Sequence, residues 1–423
     1  MDKNTIIENV FYYKNEMLYA ENKPLMDIVE EYASPTVVFS KRRIEDNILS
    51  IKKAFSKYYP KTKLFFATKA CYLPGIINTI RKNGVGADVS SSYEYKIAKK
   101  CGVSDSNIVW NSPAKNVDEM RTIVENKCLC NVDSLDEIIS LNEIARQHNT
   151  CVNVGLRLNP GLKTTDSHIK RGGKLGIDVT SGQAMEACRI IKKLDHINLI
   201  GLHCHVSVQS VDTLNHVKAL KALVAFAELL YDEIGIKVEY LCPGGGFQNR
   251  TMMESFGGNI EIFAQDMYRI IKTMRYSPIL MIEPGRYIVD DTAVCIGKII
   301  CKKKCWENNW WITDMGTNYL MPFDGREYDV KPIFIRDSKK EYVEIGDRTS
   351  SYLGVIIHNV LIEELEKNDL IAAFNCGSYT FSCSQNFIYP LCYNFVMVDD
   401  ISVKLLLKSK EEEFFIESIF SNY

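Results

Sequence analysis

The stretch TKLFFATKACYLPGII, residues 62–77, runs four apolar residues, Leu64-Phe65-Phe66-Ala67, almost directly into a lysine. The run reads as a strand, and LPGIINTIRKNG behind it has the spacing of a helix. An ammonium at the tip of so apolar a strand is costly unless it reaches water or does chemistry. The role of Lys69 therefore turns on what else shares its end of the fold.

Seven further β-rich runs recur: Gly84–Val89, Asn107–Trp110, Leu129–Val132, Cys151–Leu158, Asn198–Cys204, Val238–Cys242 and Ile279–Ile282. Helix-period segments separate them, among them SSYEYKIAKKCG, NVDEMRTIVENK, SLDEIISLNEIARQHN and TLNHVKALKALVAFAELLYDEIG. Eight strand–helix alternations over roughly 250 residues predict a closed parallel (β/α)8 barrel. An open doubly wound sheet is the competing fold, and no G-x-G-x-x-G turn supports it. Beyond about residue 290, TAVCIGKIICKKK, WWITDMG, DLIAAFN and FVMVDD read as strands with turns between them. The expected division is an N-terminal segment 1–40 pairing with the β-domain, a barrel over 41–289, and a C-terminal all-β, Greek-key-like domain over 290–423.

Composition limits the function. The 423 residues carry 51 basic and 53 acidic side chains, a net charge of -2, which gives no general field for nucleic acid or anionic lipid. No apolar run reaches eighteen residues, and the N-terminus lacks the apolar core of a secretory signal, so neither a membrane span nor export is expected. Fourteen cysteines lack the paired spacing of zinc sites, Cys128-x-Cys130 and Cys301-x3-Cys305 having no partner pairs. They read as reduced thiols of a cytoplasmic protein, with no metal site.

A barrel delivers its chemistry at the C-terminal ends of its strands. Those ends supply Lys69, Asp88 with Ser90–Ser92, Asn111, Asp133, Arg157, His203 and His205, Gly244-Gly245-Gly246, and Glu283 with Arg286. Singly, each has an ordinary explanation: a snorkelling lysine, a core histidine, a loose glycine turn, a surface ion pair. Polar groups at most of the eight ends of otherwise apolar strands indicate a pocket. A lysine able to form a Schiff base, glycines exposing N–H groups to a phosphate, an arginine, a carboxylate for a pyridine nitrogen and an imidazole to stack on the ring are together the requirements of pyridoxal 5'-phosphate.

Eight segments in order, FFATKACYLPGI, GADVSSSYE, NVGLRLNP, HIKRGGKLGID, GLHCHVSVQ, CPGGGF, IEPGRYIV and CGSYTFSCSQNF, resemble the fold-type III decarboxylases of basic amino acids, the ornithine and diaminopimelate decarboxylase group. The resemblance spans about residues 20 to 400. It implies an alanine-racemase-like barrel with a β-domain, an amino-acid substrate, and a homodimer with active sites at its interface. It implies Lys69 as the Schiff-base lysine, His205 stacked on the ring and Glu283 on the pyridine nitrogen. The phosphate would rest on Gly244, Gly245, Gly246, Gly285 and Arg286, with Tyr379 closing on it and Asp88 and Arg157 on the O3' side.

Two positions depart from the family pattern. Val208 stands where a phosphate-binding serine is usual, leaving Ser207 as its substitute. In IGDRTSSYLG, residues 345–354, Thr349 and Ser350 replace a cysteine acid and an acidic substrate contact. A hydroxyl is a far weaker acid than a thiol. Thr349 is then the candidate proton donor, and Arg348, Ser350 and Ser351 the candidate contacts for a distal group that is acidic or polar rather than a free ammonium. The alternative is that Arg348 pairs with Asp347 or faces solvent. Three functions stand open: a decarboxylase with a non-standard substrate, as in specialised amine, siderophore or peptide-antibiotic biosynthesis; a racemase or epimerase on the same cofactor; and a silent regulatory homologue.

Overall fold

The computed structural model describes residues 5–7, 10–162, 173–320 and 328–421, and the chain divides into two compact units, Met1–Asp46 with Val289–Tyr423, and Asn47–Ile288. Part of the quoted segment HIKRGGKLGID, residues 168–172, lies outside the described residues.

The second unit contains eight parallel strands: β1 Thr62–Ala67, β2 Gly86–Val89, β3 Ile108–Asn111, β4 Leu129–Val132, β5 Val152–Asn159, β6 Ile197–His203, β7 Tyr240–Cys242 and β8 Ile279–Ile282. Each pairs with the next, and β8 pairs with β1, so the sheet closes on itself as a (β/α)8 barrel. Strand ends fall within about two residues of the sequence expectation. At β2, Gly84 takes φ +68° and closes the preceding helix Pro74–Lys82, so Gly84 and Val85 belong to the turn. An extra two-residue strand, Ile177–Asp178, pairs with β5 outside the closed ring.

Helices that follow three of the strands begin with side-chain caps. Ser91 accepts from the Glu94 N–H, Asn116 from Glu119 and Ser134 from Glu137. The same glutamates reach back: Glu94 accepts from the Ser90 N–H, Glu119 from Asn116 and from Ser92, and Glu137 from Asp133. These contacts satisfy N–H groups that a helix start leaves unpaired, and they fix the loops at the catalytic end of the barrel.

One row of the barrel has unusual contents. In register, Asn111 faces Asn131, Asn131 faces Gly155, Gly155 faces Gly201, and Gly201 faces Tyr240. The two glycines leave the space that the Tyr240 ring fills: a Cβ on Gly201 would lie 2.0 Å from a ring carbon, and one on Gly155 only 1.9 Å from the phenol oxygen.

The first unit is built mainly from strands. Thr36–Ser40 lies between Ala293–Cys305, antiparallel, and Asn394–Val398, parallel, in a nine-stranded sheet. Thr5–Ile7, Phe11–Lys14, Met17–Ala20 and Lys23–Pro24 form a separate four-stranded sheet, whose Phe11 and Leu18 share a core with Val294, Ile333 and Phe374. Two helices, Leu25–Tyr32 and Glu412–Phe420, accompany the strands. Among the described residues, no helix is long and apolar enough to cross a membrane.

The Tyr240 row gives a direct test of packing. Gly201→Ala forces a methyl into the ring and is expected to lower stability to urea by about 1–3 kcal/mol, as overpacking does. The same change made in a Tyr240→Leu background should cost clearly less. Equal costs in the two backgrounds would contradict the assigned contact.

Candidate active site

The C-terminal ends of the barrel strands bring the predicted groups together. At the end of β1, Lys69 Nζ lies 2.8 Å from Asp88 Oδ2; the lysine side chain is half exposed and the aspartate fully buried. Asp88 Oδ1 accepts from Asn111 Nδ2 at 2.9 Å, and the same nitrogen donates to Glu283 Oε1 at 2.7 Å. Glu283 Oε2 meets His203 Nε2 at 3.1 Å. A carboxylate only accepts, so His203 Nε2 carries the proton in this contact.

The two carboxylates are shifted in opposite directions. Burial pushes the Asp88 carboxyl up, with Lys69 opposing it and Glu283 adding to it. Burial would raise Glu283 as well. The His203 ring beside it, with Lys69 and the Cys242 thiol, instead holds it well below the usual carboxylate range. Glu283 is therefore the carboxylate that stays ionised. Burial holds the His205 imidazole down at about 3, with the charges of Arg157 and Lys69 acting in the same direction. It is a neutral ring.

Gly244-Gly245-Gly246 pack against backbone where no side chain fits. A Cβ on Gly245 would lie 1.9 Å from the Glu283 carbonyl oxygen, and one on Gly246 only 2.0 Å from the Ser207 carbonyl. Gly244 and Gly246 also take φ +81° and +85°, which L side chains rarely adopt. The Glu283 N–H donates to the Gly244 carbonyl at 3.2 Å, joining the glycine turn to the strand that carries the carboxylate. Gly285 follows, its carbonyl accepting from the Ile288 N–H, and Arg286 is buried at the start of a short helix. Arg157 Nη1 sits 3.3 Å from Asp133 Oδ2.

His216 had no place in the sequence reading. Its Nε2 donates to the Gly245 carbonyl at 2.8 Å, which leaves Nδ1 as an acceptor, 3.4 Å from the Ser207 hydroxyl. The ring stacks on Phe247 at 4.6 Å between centroids. Ser207 is thus buried against His216, while Val208 is exposed. Nothing in the spacing of the sequence marks His216 as the neighbour of the glycine turn.

The remaining predicted residues lie in the other unit. The buried Asp347 accepts through Oδ2 from the N–H and hydroxyl of Thr317, and through Oδ1 from those of Thr349, at 2.9 and 2.6 Å for the latter. Its carboxylate is therefore filled by threonines rather than by Arg348. The Arg348 guanidinium instead lies 3.9 Å over the Tyr389 ring. The Ser351 N–H donates to Thr349 Oγ1, and Ser350 is exposed. Tyr379 takes φ +55° in the segment where Ser378 bonds Asp290.

His216 carries a pH signature. Burial holds its imidazole at about 4, whereas an unfolded histidine titrates near 6.5. Between those values the unfolded chain binds a proton that the folded chain refuses. Stability from this group is therefore complete above about pH 6.5 and is lost as pH falls toward 4, on the order of 3 kcal/mol in all. Urea unfolding across this range should show a steeper loss in wild type than in His216→Gln, by up to about 1.4 kcal/mol per pH unit. Identical slopes would remove His216 from the titration.

Residues 42–290 match the pyridoxal binding domain of the pyridoxal-dependent decarboxylases. The chain is 26% identical over 414 residues to the diaminopimelate decarboxylase of Aquifex aeolicus, covering 96% of each, and 29% identical over 392 residues to that of Methanocaldococcus jannaschii, covering 88% of each. The crystal structure of diaminopimelate decarboxylase from M. jannaschii in complex with L-lysine aligns at a TM-score of 0.90 and 25% identity, over 97% of both chains. With more than half its length in the family's cofactor domain, and with the lysine, carboxylates and glycine turn grouped at one end of the barrel, the chain belongs to the pyridoxal-dependent decarboxylases: it is a carboxy-lyase whose cofactor is pyridoxal 5'-phosphate.

Proposed function

We propose that this protein decarboxylates an amino acid related to diaminopimelate and ornithine but with a non-standard distal group, with Lys69 and Glu283 as the central residues. The observation that carries this reading is the pairing of a lysine amine held by a buried aspartate with a second buried carboxylate kept ionised. The residues fit the cofactor on structural grounds, because a lysine amine, a carboxylate held ionised and a turn of three glycines bearing no side chains stand together at one end of the barrel strands. Bound there, pyridoxal 5'-phosphate supplies an electron sink for the pair left behind when carbon dioxide departs.

The chain's own groups do the rest. Lys69 Nζ is the amine that holds the cofactor, and Asp88 Oδ2, 2.8 Å away, is positioned to take its proton. Glu283 keeps a proton on the ring nitrogen, because a carboxylate so strongly held in its charged form favours a cation opposite it. The neutral His205 imidazole offers a flat face for stacking. Gly244, Gly245, Gly246, Gly285 and Arg286 are assigned to the phosphate, with Tyr379. Ser207 is assigned there as an acceptor only, its hydroxyl proton being directed at His216. Asp88 and Arg157 are assigned to the O3' side.

The substrate's far end is assigned to the 348–351 turn. The carboxylate just before that turn, Asp347, is buried and accepts four hydrogen bonds. What the turn offers outward is Arg348 with the hydroxyls of Ser350 and Ser351, which suits an acidic or polar distal group better than an ammonium. Thr349 stands at the family's acid position, and to act as proton donor it must release its bond to Asp347. The enzyme is proposed to act as a homodimer with shared sites. Tyr352 and Leu353, at 101% and 74% exposure beside this turn, are apolar surface for a second copy to cover. The fourteen cysteines stand outside any disulfide, which supports a reducing, cytoplasmic setting.

Carbon dioxide release from a panel of amino acids tests the assignment. Acidic- or polar-tailed substrates should be preferred, and Arg348→Ala should reduce that preference by about tenfold, the scale of one charged hydrogen bond. A best rate with lysine or ornithine would overturn the substrate assignment. Glu283→Gln should retain cofactor but lower turnover roughly ten- to a hundredfold, for a charged hydrogen bond worth about 1.5–3 kcal/mol. Wild-type turnover in that variant would remove Glu283 from the mechanism.

A further inference from the structure

We propose that Asn111 is a positioning residue for the decarboxylation: its amide holds Asp88 and Glu283 in one frame, and the row Asn131–Gly155–Gly201–Tyr240 holds the amide. The inference rests on the reading that Glu283 faces the ring nitrogen.

The amide nitrogen of Asn111 has two hydrogens, and each has a carboxylate acceptor, Asp88 Oδ1 at 2.9 Å and Glu283 Oε1 at 2.7 Å. Its oxygen accepts from Asn131 Nδ2 at 2.6 Å. Asn131 Oδ1 in turn accepts from the Tyr240 hydroxyl at 2.5 Å. The direction of every bond is thereby fixed. Turning the Asn111 amide over would set its oxygen against two carboxylates and its N–H groups against those of Asn131. All five residues are less than a tenth exposed, so water cannot replace a lost partner.

The chain of bonds exists because of the two glycines. Tyr240 and Asn131 belong to strands separated by β5 and β6, and the phenol reaches back across both. A Cβ on Gly155 would lie 1.9 Å from the Tyr240 oxygen and 2.1 Å from Asn131 Oδ1, blocking the contact. Two glycines and a tyrosine in one row thus do a single job, which is to anchor a donor aimed at the active-site carboxylates.

The chemistry shows what the amide contributes. Asp88 and Glu283 are like charges in a buried site, and such pairs tend to share a proton. An amide does not ionise, so it can bond to both while passing no proton between them. Proton exchange of Lys69 with Asp88 then stays separate from Glu283. The other titratable groups facing the pair are Glu94 beside Asp88, and around Glu283 His203 at the end of β6, Cys204 and His205 just beyond it, and Tyr240 and Cys242 from β7.

The test uses holoenzyme. Asn111→Leu keeps volume and removes the bonds; Tyr240→Phe removes only the hydroxyl at the far end. Both should retain borohydride-reducible cofactor. In Asn111→Leu, kcat should fall by about tenfold or more with KM within about threefold, and the pH at which the bound cofactor's absorption changes should move by about one unit. Tyr240→Phe should shift the absorption in the same direction by less. Unchanged absorption–pH profiles with loss confined to thermal stability would reduce the row to packing and overturn the proposal. If Asn111→Leu does not fold, the profile of Tyr240→Phe decides alone, a shift supporting the proposal and no shift overturning it. Glu283→Gln run in parallel separates the two levels. An effect there with none in the row variants sinks only this inference, whereas no effect in any of them sinks the reading of Glu283 as well.

Discussion

Two buried carboxylates, Asp88 and Glu283, set the terms for one end of this barrel. A buried charge is tolerated only when its partners are in place, and removing one partner of such a pair typically costs about 3–5 kcal/mol. Each carboxylate here has its own set. Asp88 has Lys69 and Asn111; Glu283 has Asn111, His203 and the Cys242 thiol. The sets differ in strength, and so does the direction in which each carboxyl is shifted. One carboxyl is pushed toward accepting a proton, and the other is held ionised. That difference gives the groups beside Asp88 and those beside Glu283 two distinct environments at one end of the barrel.

The backbone serves the same end. Glycines at 155 and 201 clear a path for Tyr240, and glycines at 245 and 246 let one turn press on the carbonyls of Glu283 and Ser207. Capping glutamates tie the loops after β2 and β4 to their helices. On this floor the Lys69 side chain is half exposed, while the Asp88 carboxylate beside it is buried.

Much of this was legible in the sequence because barrels report their chemistry at strand ends. Lys69, Asp88, Asn111, Glu283 and the glycines could be gathered from eight apolar runs alone, and the structure brings them together. What could not be read depends on register or on side-chain direction. Tyr240 lies at the start of its strand, not the end, and reaches Asn131 only because three strands align Gly155, Gly201 and Tyr240 in one row. His216 lies on a helix with no local mark of its contact with Gly245. Spacing placed Thr349 and Arg348, but not the buried Asp347 that accepts the threonine's hydrogen bond or the Tyr389 ring under the guanidinium. Periodicity locates elements; partners across elements need coordinates.

The central claim is that Lys69, held by Asp88, is the residue that carries the cofactor. Borohydride reduction of the holoenzyme followed by peptide mapping tests it most directly, since reduction fixes the cofactor to whichever amine holds it. The account predicts a pyridoxyl adduct on the peptide containing Lys69 and on no other. An adduct on a different lysine, or a purified, cofactor-saturated protein that yields none, would contradict it.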